Sequence, residues 1–129
     1  EDLELHAVAE AAVQSADFLG VNSIIVLASN GQAAKVIAAH RPRVPVYAFT
    51  HDARVARQLQ LHRAIYPVLF QTAEDQVQRM GMKRAEAVRT MKELGVIKAG
   101  DRAVIVDQAW GKQADSFKYA TNLKVFTVV

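Results

Sequence analysis

The stretch "LASNGQAAKVI", residues 27–37, has the residue types of an anion-binding turn. An apolar run ends in a small polar turn with one glycine and passes directly into an alanine-rich helical pattern. At such a position the free backbone N–H groups and the helix dipole favour a phosphate or a carboxylate. The turn contains no lysine or arginine. Three interpretations are open: the turn is a working anion site, an anion site that has lost its positive charge, or only a turn.

A general base is the next chemistry to consider, because His51 is followed by Asp52. Adjacent side chains at a helix start point in different directions, and N-capping of a helix accounts for Asp52. No nucleophile or glycine-rich elbow accompanies the pair, so we predict no catalytic residue there. His6, His40 and His62 lack metal-ligand spacing, since no pair of them stands at i and i+4. We expect surface histidines and no metal site.

Arginines make the middle of the chain basic: they are Arg41, Arg43, Arg54, Arg57 and Arg63. Aromatic residues that could stack on bases are not interleaved with them, which favours a solvated helix face and domain contacts over nucleic acid. The whole chain has 16 basic and 13 acidic residues, a net charge of +3, without long runs of one sign. This balance gives no argument for a nucleic-acid or membrane partner.

The composition fits one globular domain, with 129 residues of which 51% are hydrophobic. The absence of cysteine excludes disulfides, thiolate catalysis and cysteine-type zinc sites. The N-terminus lacks the basic and apolar regions of a secretory signal, and no apolar run approaches the ~18 residues of a transmembrane helix. We therefore expect a soluble, cytoplasmic protein.

Strand and helix patterns alternate along the chain. Apolar residues at helical spacing from Leu5 to Ala16 predict a first helix that Gly20 stops. The predicted strands are "SIIVLA" at 23–28, "VYAFT" at 46–50, "YPVLF" at 66–70 with its proline near the start, "AVIVD" at 103–107 and "LKVFTVV" at 123–129. A second helix is predicted to end before "RPRVP", and a third covers "ARVARQLQL". A fourth, long helix begins with Thr72 and Asp75 as a capping box and ends at Gly95. Its apolar positions are Val77, Met80, Val88, Met91 and Leu94. This alternation predicts an α/β domain with a mainly parallel sheet covered on both faces.

The segment "SIIVLASNGQAAKVIAAHRPRVPVYAFTHDARVARQLQLHRAIYPVL" resembles the C-terminal domain of pyruvate kinase. Members of that family carry a strand, a short Ser/Thr-Gly turn, an "RP" before an apolar strand ending in Thr, an "ARQL"-like helix and a "YPVL" strand in this order. "GDRAVIVDQAW" and "TNLKVFTVV" resemble the last two strands of that domain. The resemblance reaches from the first helix to Val129. It implies a three-layer α/β/α fold with a five-stranded, mostly parallel sheet whose last strand is antiparallel.

The resemblance also implies that catalysis and regulation belong to different domains. In the family, phosphoryl transfer, Mg²⁺ and K⁺ belong to a (β/α)8 barrel, and we expect residues 1–129 to form one domain from which that barrel is absent. The chain alone is then expected to be inactive and to hold no cofactor. Family members use this domain for allosteric regulation and tetramer assembly, and many bind a sugar bisphosphate with it. The expected partners are the barrel domain, a second copy contacted through the C-terminal strand, and a sugar phosphate or another anion.

The resemblance places the effector site where the loops after the first and fourth strands meet. The candidate residues are Ser29, Asn30, Gly31 and Gln32 in the first loop and Trp110, Gly111, Lys112 and Lys118 in the second, which we predict to run from Gln108 to Ala120. Bisphosphate-responsive relatives have two cations and several hydroxyls in the first turn, whereas this chain has Ala28, Gln32 and Ala33 at matching positions. Because charge-assisted hydrogen bonds are the strong ones, we expect weak phosphate binding, with Lys112 and Lys118 as candidates for partial compensation. A degraded or retuned site is favoured over a bare turn.

Three functions stay open on the sequence. The first is the C-terminal regulatory and oligomerisation domain of a pyruvate kinase, which a start at the first helix without an initiating methionine favours. The second is a free-standing module of the same fold that binds a small anionic metabolite. The third is a small α/β enzyme acting on a phosphorylated metabolite.

Overall fold

One five-stranded sheet organises the chain in this computed structural model, which describes residues 3–27, 31–70, 80–110 and 119–129. The elements are α1 (Leu3–Leu19), β1 (Ile24–Leu27), α2 (Gln32–Ala39), β2 (Val46–Thr50), α3 (Ala53–Leu59), β3 (Ile65–Leu69), α4 (Met80–Glu93), β4 (Arg102–Trp110) and β5 (Tyr119–Thr127). The strand order is β3-β2-β1-β4-β5. β3, β2, β1 and β4 are parallel, and β5 is antiparallel to β4. The predicted sheet, with its antiparallel last strand, is confirmed.

The core has two parts, one on each face of the sheet. Along β1, Ile24 and Val26 pack with α1, α2 and the end of α3, whereas Ile25 and Leu27 pack with α4. All four residues of β1 are buried, because successive side chains of a strand point to opposite faces and helices cover both. The continuous apolar run "IIVL" therefore reflects a central strand, and the three-layer prediction is confirmed.

The last two strands are longer than predicted. β4 also contains residues 108–110 and β5 begins at Tyr119, so the predicted loop from Gln108 to Ala120 was wrong at both of its ends. The register pairs Trp110 with Tyr119 and Arg102 with Thr127. Antiparallel pairing supplies backbone hydrogen bonds to residues that carry no apolar pattern, and this extends the strands beyond the segments that the sequence predicts. The remaining loop, residues 111–118, lies outside the described residues.

The other boundaries differ by smaller amounts. Pro67 lies in the middle of β3 and not near its start; β3 is an edge strand, where a missing backbone donor is tolerated. α3 ends at Leu59, although the pattern "ARVARQLQL" extended to Leu61. Two predicted helix ends are confirmed by left-handed glycines, Gly20 after α1 and Gly95 after α4. The predicted capping box and Ala28 lie outside the described residues.

Candidate functional site at the carboxyl edge of the sheet

The order in which successive strands are added to the sheet reverses at β1. Its neighbours are β2 on one side and β4 on the other, and Leu27 pairs with Phe49 of β2 and with Asp107 of β4. In open α/β sheets, ligands bind outside the carboxyl ends of the strands at such a reversal, because the loops diverge there and leave a crevice. The carboxyl edge of β1 and β4 is therefore the candidate site.

Gly31 precedes α2 as its N-cap residue at this edge, in a left-handed conformation with φ 77° and ψ −3°. A Cβ atom built on Gly31 would lie 3.1 Å from Leu59 Cδ2 and 3.1 Å from Val55 Cγ1 of α3. No side-chain hydrogen bond caps the start of α2 among the described residues. Both the backbone conformation of Gly31 and the side chains around it therefore favour glycine at this position.

The predicted site residues are only partly described. Gly31 and the exposed Gln32 lie at the end of the β1 connection, and the backbone of Trp110 ends β4 at the same edge of the sheet. Ser29, Asn30, Gly111, Lys112 and Lys118 lie outside the described residues. These five assignments therefore stay predictions.

A buried carboxylate at this edge was missed by the sequence analysis. Asp107 of β4 has a side chain with 0% exposure. Its Oδ2 accepts a hydrogen bond from Arg84 Nη1 of α4 at 2.9 Å, and its Oδ1 accepts one from Asn122 Nδ2 of β5 at 3.1 Å. Such a charge is tolerated in a core only when it is paired and hydrogen-bonded. The only sequence signal was the single acid that ends the apolar run "AVIVD".

The pairing of Asp107 has an electrostatic consequence for the edge. An unpaired carboxylate next to the β1 turn would repel an anion, and the low dielectric of the interior would make that repulsion strong. Arg84 neutralises it from the α4 side, with its own side chain 25% exposed. Asp107 is engaged on both oxygens and is assigned a structural role, not that of a general base.

The side chains of His51 and Asp52 make separate contacts. The Asp52 carboxylate caps α3 by accepting a hydrogen bond from the Arg54 backbone N–H at 2.9 Å, and this bond lowers the pKa of Asp52 below its ordinary value. The ring of His51 instead stacks on Phe70, with ring centroids 4.6 Å apart. The capping role predicted for Asp52 is confirmed.

No metal centre is assembled in the described part of the chain. No group of three or more His, Asp or Glu side chains lies together among those residues. The rings of His6 and His40 approach to 5.9 Å between centroids, although they belong to α1 and to the residue that follows α2. Sequence spacing along one helix could not have found this pair. Both side chains are half-buried, whereas His62 is exposed as predicted.

The basic middle of the chain has its arginine side chains at the surface. All five arginines between residues 41 and 63 are exposed, and the preference for a solvated face and domain contacts over nucleic acid stays a prediction. Within the described ranges, none of the helices combines the length and the apolar character that a membrane crossing requires.

Comparison with known proteins agrees with this geometry. The family model described as pyruvate kinase, alpha/beta domain, matches residues 6–119. The chain belongs to this family. The pyruvate kinase of Agaricus bisporus is 30% identical over 139 residues, which cover 99% of this chain and 23% of that protein. The pyruvate kinase of Lactobacillus delbrueckii subsp. bulgaricus is 33% identical over 78% of this chain and 16% of its own length.

A solved structure shares the fold of this pyruvate kinase alpha/beta domain. The Cryptosporidium parvum pyruvate kinase in complex with ADP superposes with a TM-score of 0.83 at 23% identity, over 100% of this chain and 24% of that chain. The chain thus spans about a quarter or less of the pyruvate kinases that it matches. The resemblance read from the short motifs is confirmed as family membership.

Proposed function

We propose that this pyruvate kinase domain is a regulatory and oligomerisation domain that is not catalytic by itself. The parent enzyme would transfer phosphate from phosphoenolpyruvate to ADP in cytoplasmic glycolysis, with Mg²⁺ and K⁺ held by a barrel domain. Support comes from the family match over residues 6–119 and from the small share of each relative that the chain covers. The described residues of the domain do not provide a donor set for a metal.

The regulatory site we propose is the carboxyl edge of β1 and β4, with a degraded affinity for sugar phosphates. The observation that carries this proposal is the start of α2, where the left-handed Gly31 presents a helix N-terminus while the next residues, Gln32, Ala33 and Ala34, supply no cation. Ala33 and Ala34 are fully buried, so only Gln32 of these three can reach a ligand through its side chain. A helix N-terminus favours an anion through its backbone N–H groups, but these three residues add no positive charge to strengthen such contacts.

Calorimetry with fructose 1,6-bisphosphate tests this site. We expect a dissociation constant in the millimolar range or weaker, which corresponds to roughly 4 kcal/mol or less. Gln32→Arg should tighten binding by about ten-fold, because it restores one charge-assisted hydrogen bond. Gln60→Arg is the matched control, since it adds the same charge at an exposed position after α3. Micromolar affinity of the unmodified chain, or an equal effect of the two substitutions, would contradict the proposed site.

We propose that oligomerisation uses β5, which is the edge strand beside β4. An edge strand leaves backbone donors and acceptors unpaired, so it must be covered, blunted or paired with another chain. Lys124 is the only charged residue of β5, and Val125 is 47% exposed. Two copies related by a two-fold axis could pair these strands antiparallel in a closed, isologous contact.

A weak homodimer is the expected result of sedimentation equilibrium at hundreds of micromolar chain. Val125→Pro should weaken it by removing a backbone donor, and Val125→Lys should weaken it by adding charge at an exposed edge position. Phe126 is unsuitable for this test because it is half-buried against the α4 face of the core. Leu61→Lys, at a side chain 87% exposed outside the sheet, is the matched control. A monomeric chain, or a dimer that both Val125 variants leave unchanged, would exclude this interface.

A further inference from the structure

A groove of about 600 Å³ lies between α4 and β5, on the face of the sheet opposite α1 and α2. Its apolar lining consists of Ala85, Val88, Val125, Phe126 and Val129. All charged residues among the described residues that line it are basic: Arg84, Arg89, Lys92 and Lys124. A groove with an apolar base and basic residues on both sides is complementary to a molecule with an apolar body and a negative charge.

The groove is held open by contacts at both of its ends. At one end Arg84 donates to Asp107, which also accepts from Asn122, so α4 is tied to β5 through β4. At the other end the Lys92 ammonium donates to the backbone oxygen of Val129. Between these ends Met91 of α4 is fully buried against the sheet. The walls are therefore formed before any ligand arrives, as is usual for small-molecule sites.

Two of the four cations remain available for a ligand. Arg84 and Lys92 are engaged at the ends of the groove. Arg89 and Lys124 are exposed, and their side chains have no hydrogen-bond or ion-pair partner among the described residues. Arg89 lies on the α4 side of the groove and Lys124 on the β5 side. A single anionic group above the groove can be attracted by both, while Val88 and Phe126 offer apolar surface below.

We infer that this groove binds a small amphipathic carboxylate. Its apolar chain lies over Val88 and Phe126, and its carboxylate is bound by Arg89 and Lys124. The volume is within the range of roughly 300–1,000 Å³ that small-molecule sites occupy, which favours such a ligand over a protein segment. The ligand contacts of the groove differ from those of the proposed effector site, because α2 lies on the other face of the sheet. The two sites share only Arg84, which lines the groove and pairs with Asp107 at the effector edge.

Octanoate is the probe for this inference, with octanamide and acetate as matched ligands. The amide keeps the chain without the charge, and acetate keeps the charge without the chain. In a two-dimensional amide NMR titration we expect octanoate to shift residues 84–93 and 122–127 and to bind about ten-fold more tightly than octanamide, because a charged hydrogen bond is lost in the amide. Acetate should not saturate.

The double variant Arg89→Gln with Lys124→Gln identifies the head-group contacts. Octanoate affinity should fall to the level of octanamide, and octanamide affinity should stay unchanged. Arg57→Gln with Lys98→Gln removes two exposed cations elsewhere and should leave both affinities as they were. The inference is overturned by equal affinity for the two octyl compounds, by unchanged octanoate binding in the first double variant, by shifts confined to residues 31–35, or by no saturable binding. It is also overturned if a second copy of the chain, detected by sedimentation, covers the groove and excludes octanoate.

Discussion

Replacing Arg84 by methionine should lower the free energy of unfolding by roughly 3 kcal/mol or more. The variant keeps most of the apolar stem of the side chain but removes the guanidinium that donates to Asp107 at 2.9 Å. Asn122 remains as a neutral donor, while the Asp107 carboxylate stays fully buried without a compensating cation. Urea unfolding followed by circular dichroism measures the loss.

Two further variants separate the ion pair from other effects of the substitution. Arg89→Met removes an exposed cation of the same helix and should change stability by less than about 0.5 kcal/mol. Adding Asp107→Asn to the Arg84→Met background should recover part of the loss, because a neutral amide needs no cation. If Arg84→Met costs no more than Arg89→Met, the buried pair does not contribute to stability as argued.

The ion pair joins the fold to the candidate site. The chain reaches β4 from β3 through α4, which lies on the opposite face of the sheet from α1 and α2. Arg84 fixes this helix to the last fully buried residue of β4 that the structure describes, directly beside the end of β1. The pair therefore sets the position of one wall of the crevice and, through Asn122, the position of β5. A regulatory signal at this edge and a contact through β5 would share this connection.

The order of the elements could be predicted because each short segment carries its own signal. "IIVL" is apolar at every position, and a run of this length that is buried on both faces is typical of a parallel strand. The spacing of Leu5, Ala9, Ala12 and Ala16 predicts the buried face of α1, and all four are at most 1% exposed. These signals are local, so no knowledge of the neighbours was needed.

The parts that could not be predicted depend on residues distant in the sequence. Residues 108–110 are strand because β5 pairs with them. The buried Asp107 is tolerated because it is paired with Arg84, which lies 23 positions earlier in the chain. The half-buried state of Phe126 depends on α4 packing against β5. The candidate turn was visible in the sequence as "SNGQ", but the crowding of Gly31 by α3 was not. The sequence pattern thus located the candidate site without showing what fixes its geometry.

Replacing Gly31 by alanine should lower the free energy of unfolding by roughly 3 kcal/mol. About 1–2 kcal/mol comes from placing a side chain on a residue with φ 77°, since an L residue in the left-handed region brings Cβ against its own backbone. A further 1–3 kcal/mol comes from overpacking, because the new methyl carbon would lie 3.1 Å from both Leu59 Cδ2 and Val55 Cγ1. Thermal and urea unfolding measure the sum.

Gly20→Ala separates these two contributions. Gly20 has a similar φ of 69°, but a Cβ there would meet no atom within 4 Å, so only the backbone cost of about 1–2 kcal/mol is expected. The difference between the two variants then measures how tightly α3 packs over the start of α2. Gly31→Ala should also weaken any anion binding at the α2 N-terminus, because relief of the contact with Leu59 displaces the backbone N–H groups that would face the ligand. Equal losses of stability in the two variants would show that α3 yields freely, and the turn at Gly31 would then owe its shape to the backbone alone.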